Sequence, residues 1–290
     1  VGKPPQEDFY LGKATERIFL PLMRTQLPEI IDMNMPAEGV FHNLVIISIE
    51  KRFPMQARRL MSALWGMGQM SFVKTIVVFD HTVDIQNTSI LLDKLFDQID
   101  FTHDLFFSEG ILDVLNHASD RAVYGSKLGI DLTEKIKGED EFKRTLKNVS
   151  LPPSISPENI IKKFTEITSC KIIEKNNSHK IVLATIDKKF MHQGLSLIEK
   201  FMSDDEFSLI TVLIILEGHE NINDSSTVMW KILNNIDPKR DICLFENRIG
   251  IDVTCKTGEK NYAQIWPDEI TMSNQIIKTV DQKWKKMFNE

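Results

Sequence analysis

Apolar residues occur along this chain in short unbroken runs that alternate with longer amphipathic segments. Residues 44–49 and 74–79 form β-branched runs of strand length, which is typical of parallel strands covered on both faces. Residues 56–65 lie between them and have helical spacing. The elements predicted in this half are a strand at 44–49, a helix at 56–65, a strand at 74–79, a helix from 87 or 88 to about 98, and a short strand at 104–107.

A long internal repeat extends this pattern to the second half of the chain. Residues 42–107 return as residues 179–244 with a constant offset of 137 and no gap, and about thirteen positions are identical. The second copy therefore predicts strands at 181–186, 209–216 and 242–244 and helices at 193–202 and 225–235. The motif Gly129-Ile130-Asp131 returns as Gly250-Ile251-Asp252 at an offset of 121, so the second copy is 16 residues shorter before that motif.

The repetition predicts an α/β protein with two repeated, mostly parallel βαβ subdomains, an N-terminal lead-in and an amphipathic C-terminal helix. In the lead-in, residues 15–27 have helical spacing that we expect Pro21 to break. A short helix is predicted at 157–167. The predicted boundaries are 1–41 for the lead-in, 42–137 for the first subdomain, 138–157 for a linker, 158–270 for the second subdomain and 271–290 for the C-terminal helix.

The C-terminal helix carries apolar residues at spacings of three and four, so they share one face. They are Ile276, Ile277, Val280, Trp284, Met287 and Phe288. Such a face must be buried somewhere, either against another subunit or against the helix's own subdomain. We favour another subunit.

Composition narrows the class of protein. The charged fraction of 26% and net charge of −6 give no reason to expect nucleic acid or an anionic membrane as the main partner. The three cysteines, Cys170, Cys243 and Cys255, lack Cys-x-x-Cys spacing, so we expect no disulfide framework and a cytoplasmic location. No apolar run approaches the roughly 20 residues that span a bilayer, so no transmembrane segment is expected.

Two loops are candidates for a ligand-facing role. Residues 110–118 follow the predicted third strand and fall in the part that the second copy lacks. Ligands of open α/β sheets usually bind at the carboxyl ends of strands, so this segment is a candidate; the alternative is that the second copy lost a spare loop. Gly66 and Gly68 could let a backbone approach a ligand, but we favour a helix C-cap followed by a turn.

The polar residues form no recognisable catalytic set. None of the seven histidines has metal-ligand spacing, and His42 and His179 recur with the repeat, so we interpret them as structural residues at strand entrances. No Gly-x-Ser-x-Gly, Gly-x-Gly-x-x-Gly or Walker pattern occurs. The acidic runs at 139–141 and 203–206 are interpreted as solvated surface. The sequence thus predicts no catalytic, cofactor-binding or metal-binding residue in this chain.

Seven short segments occur in a specific order along the chain. They are GKPPQED (2–8), LGKATER (11–17), PEIID (28–32), AEGVFHN (37–43), ALWG (63–66), GSKLGID (125–131) and WPDEI (266–270). Together they resemble the UbiD family of flavin-dependent decarboxylases, whose founding activity is on 3-octaprenyl-4-hydroxybenzoate. Through residue 131 their order and spacing are similar to the C-terminal part of that family.

Two departures from the family pattern matter. In the usual family pattern, the Gly-Ile-Asp motif is followed after a short interval by the Trp-Pro segment. Residues from about 138 to 250 therefore look like a duplicated α/β unit inserted before the normal tail. The resemblance also implies that prenylated FMN, its divalent metal and the acidic pair belong to N-terminal flavin-binding and barrel domains, which would precede Val1. We therefore expect no cofactor bound to this chain.

The resemblance implies two roles for this region. Ile111, Leu112 and Val114 match the loop that borders the substrate in relatives, so they are expected to form a substrate-pocket wall. The C-terminal helix is expected to hold a homo-oligomer together. The longer enzyme would decarboxylate an aromatic or polyprenyl hydroxybenzoate-type acid in quinone biosynthesis. The competing hypothesis is a stand-alone α/β ligand-binding or protein-interaction module without catalysis.

Overall fold

The structure is a computed structural model that describes residues 6–142, 150–152, 154–175, 179–260, 262–270 and 272–288. The first repeat comprises α1 (Gln6–Gln26), β1 (Ile30–Asn34), β2 (Leu44–Ile49), α2 (Gln56–Trp65), β3 (Thr75–Asp80), α3 (Thr88–Gln98), β4 (Leu105–Ile111) and β5 (Tyr124–Asp131). Short 3-10 helices follow β1, α2 and β5, at Ala37–Gly39, Gly68–Phe72 and Asp140–Phe142.

The second repeat occupies the described residues from 154 to 270. It comprises α4 (Pro157–Lys163), β6 (Ile167–Lys175), β7 (His179–Ile186), α5 (Gln193–Met202), β8 (Val212–Glu217), α6 (Ser225–Asn234), α7 (Pro238–Asp241), β9 (Ile242–Phe245) and β10 (Arg248–Asp252), with a 3-10 helix at Asp205–Phe207. The last helix, α8 (Asn274–Phe288), follows it. No helix in the described part of the chain is both long enough and apolar enough to cross a membrane.

Within the described residues each repeat has one five-stranded sheet, and the two sheets have the same strand order. The orders are β1-β2-β3-β5-β4 and β6-β7-β8-β10-β9. In both sheets the three central strands are parallel and the two edge strands are antiparallel to their neighbours. The α/β class and the two repeated units are confirmed, and the sheets are mixed with a parallel centre.

The residue register of the repeat is preserved in the sheets. Val45 lies opposite Ile76 in the first sheet, and Val182 lies opposite Leu213 in the second, as the sequence offset requires. Because the strand order and pairing agree, the two units are equivalent elements of one fold repeated along the chain.

Alternate residues of the central strands enter different apolar clusters. In β2, Val45 and Ile47 pack against α1 and α2, whereas Leu44 and Ile46 enter a cluster that also contains residues of β7, α3 and α6. The second sheet uses its outer face in the same way, with α4 and α5. The shared cluster therefore joins the two repeats between their sheets, and its members include the repeat-related pairs Leu44 with Ile181, Ile46 with Leu183, Val77 with Ile214 and Leu91 with Val228.

Close helix packing explains why both copies of the Gly-Ile-Asp motif contain glycine. A Cβ atom on Gly129 would overlap the Met61 side chain, and one on Gly250 would overlap Ile198, the repeat equivalent of Met61. Glycine at both positions therefore lets α2 and α5 pack closely against the central strands β5 and β10.

The aspartate of the same motif belongs to a buried ion network. In the second repeat, Lys256 Nζ lies 2.9 Å from Asp252 Oδ2 and 3.4 Å from Asp241 Oδ1, and all three side chains are almost fully buried. Burial raises the pKa of Asp241, although Lys256 and Arg240 oppose that shift. The equivalent residues of the first repeat are Lys135, Asp131 and Asp104.

Several predicted boundaries need correction. Helix α1 continues through Pro21, which is on its exposed face, so the ring meets solvent rather than the core. Strand β1 lies in the predicted lead-in but pairs with β2, so the first repeat begins before residue 42. The helix predicted at 157–167 ends at Lys163, because Ile167 begins the edge strand β6.

The predicted linker, residues 138–157, also contributes to both repeats. Glu139 is fully buried, and its Oε2 accepts a hydrogen bond from Lys51 Nζ at 2.6 Å, so it is not the solvated residue that the acidic run suggested. Ile155 belongs to the core of the second repeat. Residues 143–149 and 153 of that linker lie outside the described residues.

Helix α8 packs against none of these cores. All of its described side chains are exposed, including the six apolar residues predicted to share a face. Their exposed fractions range from 46% at Ile277 to 74% at Met287. The alternative that the helix folds back on its own subdomain is therefore not what the structure shows.

Candidate functional site

The residues that the second copy lacks form a long hairpin in the first repeat. Strand β4 has seven residues against four in β9, β5 has eight against five in β10, and a loop of residues 112–123 replaces a two-residue turn. We call residues 112–123 the insert loop. The predicted candidate segment, 110–118, covers the end of β4 and the first part of this loop.

The insert loop lies at the opposite edge of the sheet from the one expected. Because β4 runs antiparallel to β5, its carboxyl end lies beside the amino-terminal ends of the parallel strands β2 and β3. The loop accordingly contacts His42 and Lys74, which stand just before those strands. The expectation that it joins the carboxyl ends of the parallel strands is wrong.

The three predicted pocket-wall residues do not share one environment. Ile111 is 48% exposed and Val114 is 78% exposed, whereas Leu112 is fully buried. Leu115, next to Val114, is 77% exposed. The loop thus presents Ile111, Val114 and Leu115 to the outside, and Leu112 anchors it to the sheet. Neighbouring exposed apolar side chains mark a surface that meets another group.

A histidine–aspartate pair fixes the base of this exposed tip. His42 Nδ1 lies 2.5 Å from Asp113 Oδ2, and the backbone N–H of Leu115 donates to Asp113 Oδ1 at 2.8 Å. The hydrogen bond from His42 holds the pKa of Asp113 below its usual range. The first half of the loop is therefore held by the entrance of β2, where the sequence predicted His42 as a structural residue.

His42 also lines an apolar groove of about 630 Å³ between α1 and the residues after α2. Its described lining is rich in methionine and includes Phe19, Met23, Met33, Met35, Phe41, Met67 and Met70. Gly66 caps α2, as predicted, and Gly68 with φ of 45° lines the groove. The charged residue in this lining is Glu16, and no lysine or arginine contributes to it.

The second half of the loop is tied to the second repeat through a buried lysine. Lys74 Nζ donates to Asn116 Oδ1 at 3.0 Å and to the backbone carbonyl of Ile236 at 3.2 Å, just beyond the C-terminal end of α6. A cation there is favoured by the helix dipole. Desolvation nevertheless lowers the pKa of Lys74 to about 7.

His117 completes this connection. Its Nε2 lies 3.1 Å from Asn235 Oδ1, and its ring packs edge-on against Trp266 with the ring centroids 4.8 Å apart. Burial, aided by the nearby Lys74, lowers the pKa of His117 to about 4. The imidazole is therefore neutral at physiological pH and acts as a packing and hydrogen-bonding group.

Sequence reasoning missed Lys74, Asn116 and Asp113 as parts of this site. Lys74 did give a signal, because it begins a predicted buried strand where the repeat has Thr211. A charged residue that replaces a small one at a buried repeat position indicates a partner specific to that copy. Asn116 and Asp113 have no equivalent in the second copy, so the repeat could not point to them.

A second cavity, of about 550 Å³, lies at the carboxyl ends of β7 and β8. Its described lining includes His219, Glu220 and Glu269, whose ligand atoms lie within 4.8 Å of one another, as a metal site requires. Lys231 Nζ, however, lies 2.6 Å from Glu220 and also contacts Glu269. An ammonium group already contacts both carboxylates, so a metal cation at this cluster would be repelled by a positive charge.

Comparison with known proteins gives the family. The family described as "3-octaprenyl-4-hydroxybenzoate carboxy-lyase C-terminal domain" matches residues 9–132 and 149–264, which is most of both repeats. The segments that carried the resemblance from 11–17 to 125–131 lie inside the first match.

Similar proteins differ in how much of this chain they match. An uncharacterized protein of Helicobacter pylori strain J99 is 33% identical over 288 residues, which covers 98% of this chain but 44% of that protein. An uncharacterized protein of Aquifex aeolicus is 43% identical over 155 residues, covering 53% of this chain and 32% of that protein. The matched part of the chain therefore covers less than half the length of each of these relatives.

Solved structures that match do so over about half of this chain. The UbiD-class enzyme HmfF from Pelotomaculum thermopropionicum, in complex with FMN, is 25% identical, with 50% of this chain and 31% of that chain covered and a TM-score of 0.39. The vanillic acid decarboxylase of Sedimentibacter hydroxybenzoicus is 20% identical, with 52% and 32% covered and a TM-score of 0.42. Because the family's C-terminal domain matches most of both repeats, the chain belongs to the UbiD family.

Proposed function

We propose that this chain is the C-terminal region of a UbiD-type carboxy-lyase, and that it supplies part of the substrate-pocket wall and the assembly surface. The observation that carries the proposal is the family match across both repeats. The Helicobacter relative, which matches nearly the whole chain, is more than twice as long, which favours a larger enzyme over a stand-alone module. The proposed substrate is an aromatic or polyprenyl hydroxybenzoate-type acid in quinone biosynthesis, and the proposed location is the cytoplasm.

The cofactors proposed for the longer protein are prenylated FMN and a divalent metal, bound by flavin-binding and barrel domains outside this chain. The flavin would serve as the electron sink for decarboxylation. The apolar groove does not suit such a cofactor, because its described lining offers one carboxylate and no cation for the flavin phosphate. We therefore derive no chemical step from residues of this chain.

The pocket-wall role rests on the exposed tip of the insert loop. Ile111 and Val114 present apolar surface at a fixed place, because Leu112 between them in the chain is buried and Asp113 is held by His42. An apolar wall of this kind fits the ring or hydrocarbon part of a substrate rather than its carboxylate. Leu112 is assigned a supporting role in the loop instead of direct contact.

The test uses the longer protein with its cofactors. Ile111→Ala and Val114→Ala should each raise KM or change the preference among acids of different size, by about 1–3 kcal/mol at most for one apolar contact. Leu244→Ala is the matched control, because Leu244 is about as exposed as Ile111 but lies on strand β9 of the second repeat, outside the insert loop. Unchanged kinetics for several substrates in both variants would remove the pocket-wall role.

A separate measurement tests where the cofactor binds. Flavin titrated into the 290-residue chain should show no stoichiometric binding at micromolar concentration, with fluorescence as the readout. Tight binding to this chain alone would contradict the proposal and favour the alternative, an independent ligand-binding module.

The assembly role is proposed for α8. Its apolar face is exposed along its whole described length, with Trp284 at 56%, and no other described segment of the chain covers it. Aromatic residues dominate the energetics of many interfaces, so Trp284 is the expected anchor. We propose that α8 binds a second copy of the protein and so forms a homo-oligomer.

A further inference from the structure

The second half of the insert loop is held mainly by the other repeat. Three backbone carbonyls of the loop accept hydrogen bonds from side chains of that repeat: that of His117 from Tyr262 Oη at 2.8 Å, that of Ala118 from Arg240 Nη2 at 2.8 Å and that of Ser119 from Gln264 Nε2 at 2.6 Å. The carbonyl of Asp120 accepts from the backbone N–H of Ala263 at 3.2 Å, and its side chain pairs with Arg240.

These contacts are well suited to fixing a loop. Irregular backbone near a core needs hydrogen-bond partners for its carbonyl groups, and here consecutive carbonyls find them on a different repeat. Lys74 adds a further connection, because it joins Asn116 of the loop to the carbonyl of Ile236. The partners lie on α7 and on the segment 262–266 that follows β10.

The exposed tip of the loop, at residues 111–115, is not held by these hydrogen bonds from the second repeat. Ile111, Val114 and Leu115 point outward, and the contact that orients this part joins Asp113 to His42 within the first repeat. One half of the insert loop therefore presents apolar surface, and the other half is clamped a few residues away. A loop fixed at residues 116–120 has little freedom at residues 111–115.

From this arrangement we infer that the second repeat is a positioning platform for the insert loop. This inference rests on the pocket-wall role proposed above. The platform contributes no residue to the pocket wall, yet it sets where Ile111 and Val114 stand. Tyr262 and Gln264 are its positioning residues, because each donates from a side chain to a loop carbonyl. The duplicated unit would then determine substrate fit without touching the substrate.

The experiment combines Tyr262→Phe with Gln264→Ala, which removes two donors while leaving Arg240 and Lys74 in place. Hydrogen–deuterium exchange of the 290-residue chain is followed by mass spectrometry on peptides that cover residues 112–120. Two lost hydrogen bonds should speed exchange in that loop by at least about tenfold. Gln275→Ala is the matched control, because Gln275 is exposed on α8 and should leave the loop unchanged.

The same double variant, placed in the longer protein, should change the ratio of KM values between a small and a large acid more than it changes kcat. Unchanged loop exchange would overturn the inference. The inference would also be overturned if the double variant left the KM ratios unchanged while Ile111→Ala altered them. The proposed function would stand in that case. If Ile111→Ala and Val114→Ala also leave the ratios unchanged, the pocket-wall role itself fails, and the inference about substrate fit fails with it.

Discussion

Replacing Lys74 by methionine should remove a specific pH dependence from the stability of the protein. The ammonium group is buried between the repeats, and desolvation lowers its pKa from 10.5 to about 7. Between these two pH values the unfolded chain carries the proton and the folded chain does not. The free energy of unfolding contributed by this group therefore rises with pH between about 7 and 10.5. Below about pH 7 this contribution no longer changes with pH.

The size of the effect follows from the two pKa values. Each pH unit in the window corresponds to about 1.4 kcal/mol, so the full interval amounts to about 5 kcal/mol and the accessible range from pH 7 to 9 to about 3 kcal/mol. Lys74→Met has no proton to release there. The free energy of unfolding of wild type, minus that of the variant, should thus increase by about 3 kcal/mol between pH 7 and 9.

Urea unfolding followed by circular dichroism, repeated at half-unit steps of pH, measures this difference. Taking differences between two proteins cancels the titration of the groups that they share. Lys94→Met on the exposed face of α3 is the charge-matched control and should show no comparable slope. A flat difference between wild type and Lys74→Met would mean that the buried ammonium keeps its proton, and the reasoning would be refuted.

Three further predictions concern packing, buried charge and assembly. Gly250→Ala should destabilise the fold by about 1–3 kcal/mol through overlap with Ile198, and in thermal unfolding Gly250→Ala together with Ile198→Ala should cost less than the sum of the two separate changes, because Ile198→Ala removes the overlapping atoms. Lys256→Met leaves the carboxylate of Asp252 buried without its cation, while Asp241 keeps its pair with Arg240. The free energy of unfolding should fall by about 3–5 kcal/mol, and a loss under 1 kcal/mol in urea would contradict the network. Deleting residues 272–290 should lower the oligomeric mass in light scattering while the circular-dichroism spectrum stays folded; an unchanged mass would show that α8 does not mediate assembly.

Local regularities of the sequence were enough to predict most elements. The unbroken apolar runs gave the central strands β2, β3, β7 and β8, and the helical spacing of 56–65 and 193–202 matches α2 and α5 residue for residue. The central strands β5 and β10, which contain the Gly-Ile-Asp motifs, were not predicted. The repeat offset also predicted equivalent pairing in both sheets, which the register at Val45 and Val182 confirms. These features were readable because periodicity reports which faces of an element are buried.

Features that depend on long-range contacts were not readable in this way. The apolar spacing around Pro21 gave no sign that its ring would face solvent and leave the helix intact. Glu139 looked like part of an acidic surface run until Lys51 was placed beside it. The edge strand β1 was missed because its residues form a strand through pairing with β2, and local spacing does not reveal that pairing.

The candidate site shows the same division. The sequence marked Ile111, Leu112 and Val114 and showed that their segment is absent from the second copy, but it put the segment at the wrong edge of the sheet. The antiparallel direction of β4 placed it correctly, and burial then separated Leu112 from the other two.

By itself, the sequence determined the α/β class, the duplication and the apolar runs that form buried strands, because these follow from the spacing of apolar side chains along one chain. Tertiary structure decided that the two repeats share a core, that Lys74 is buried at their junction and that residues 116–120 bind the second repeat. Those outcomes depend on strand direction and on contacts between residues more than a hundred positions apart, and local spacing contains no information about either.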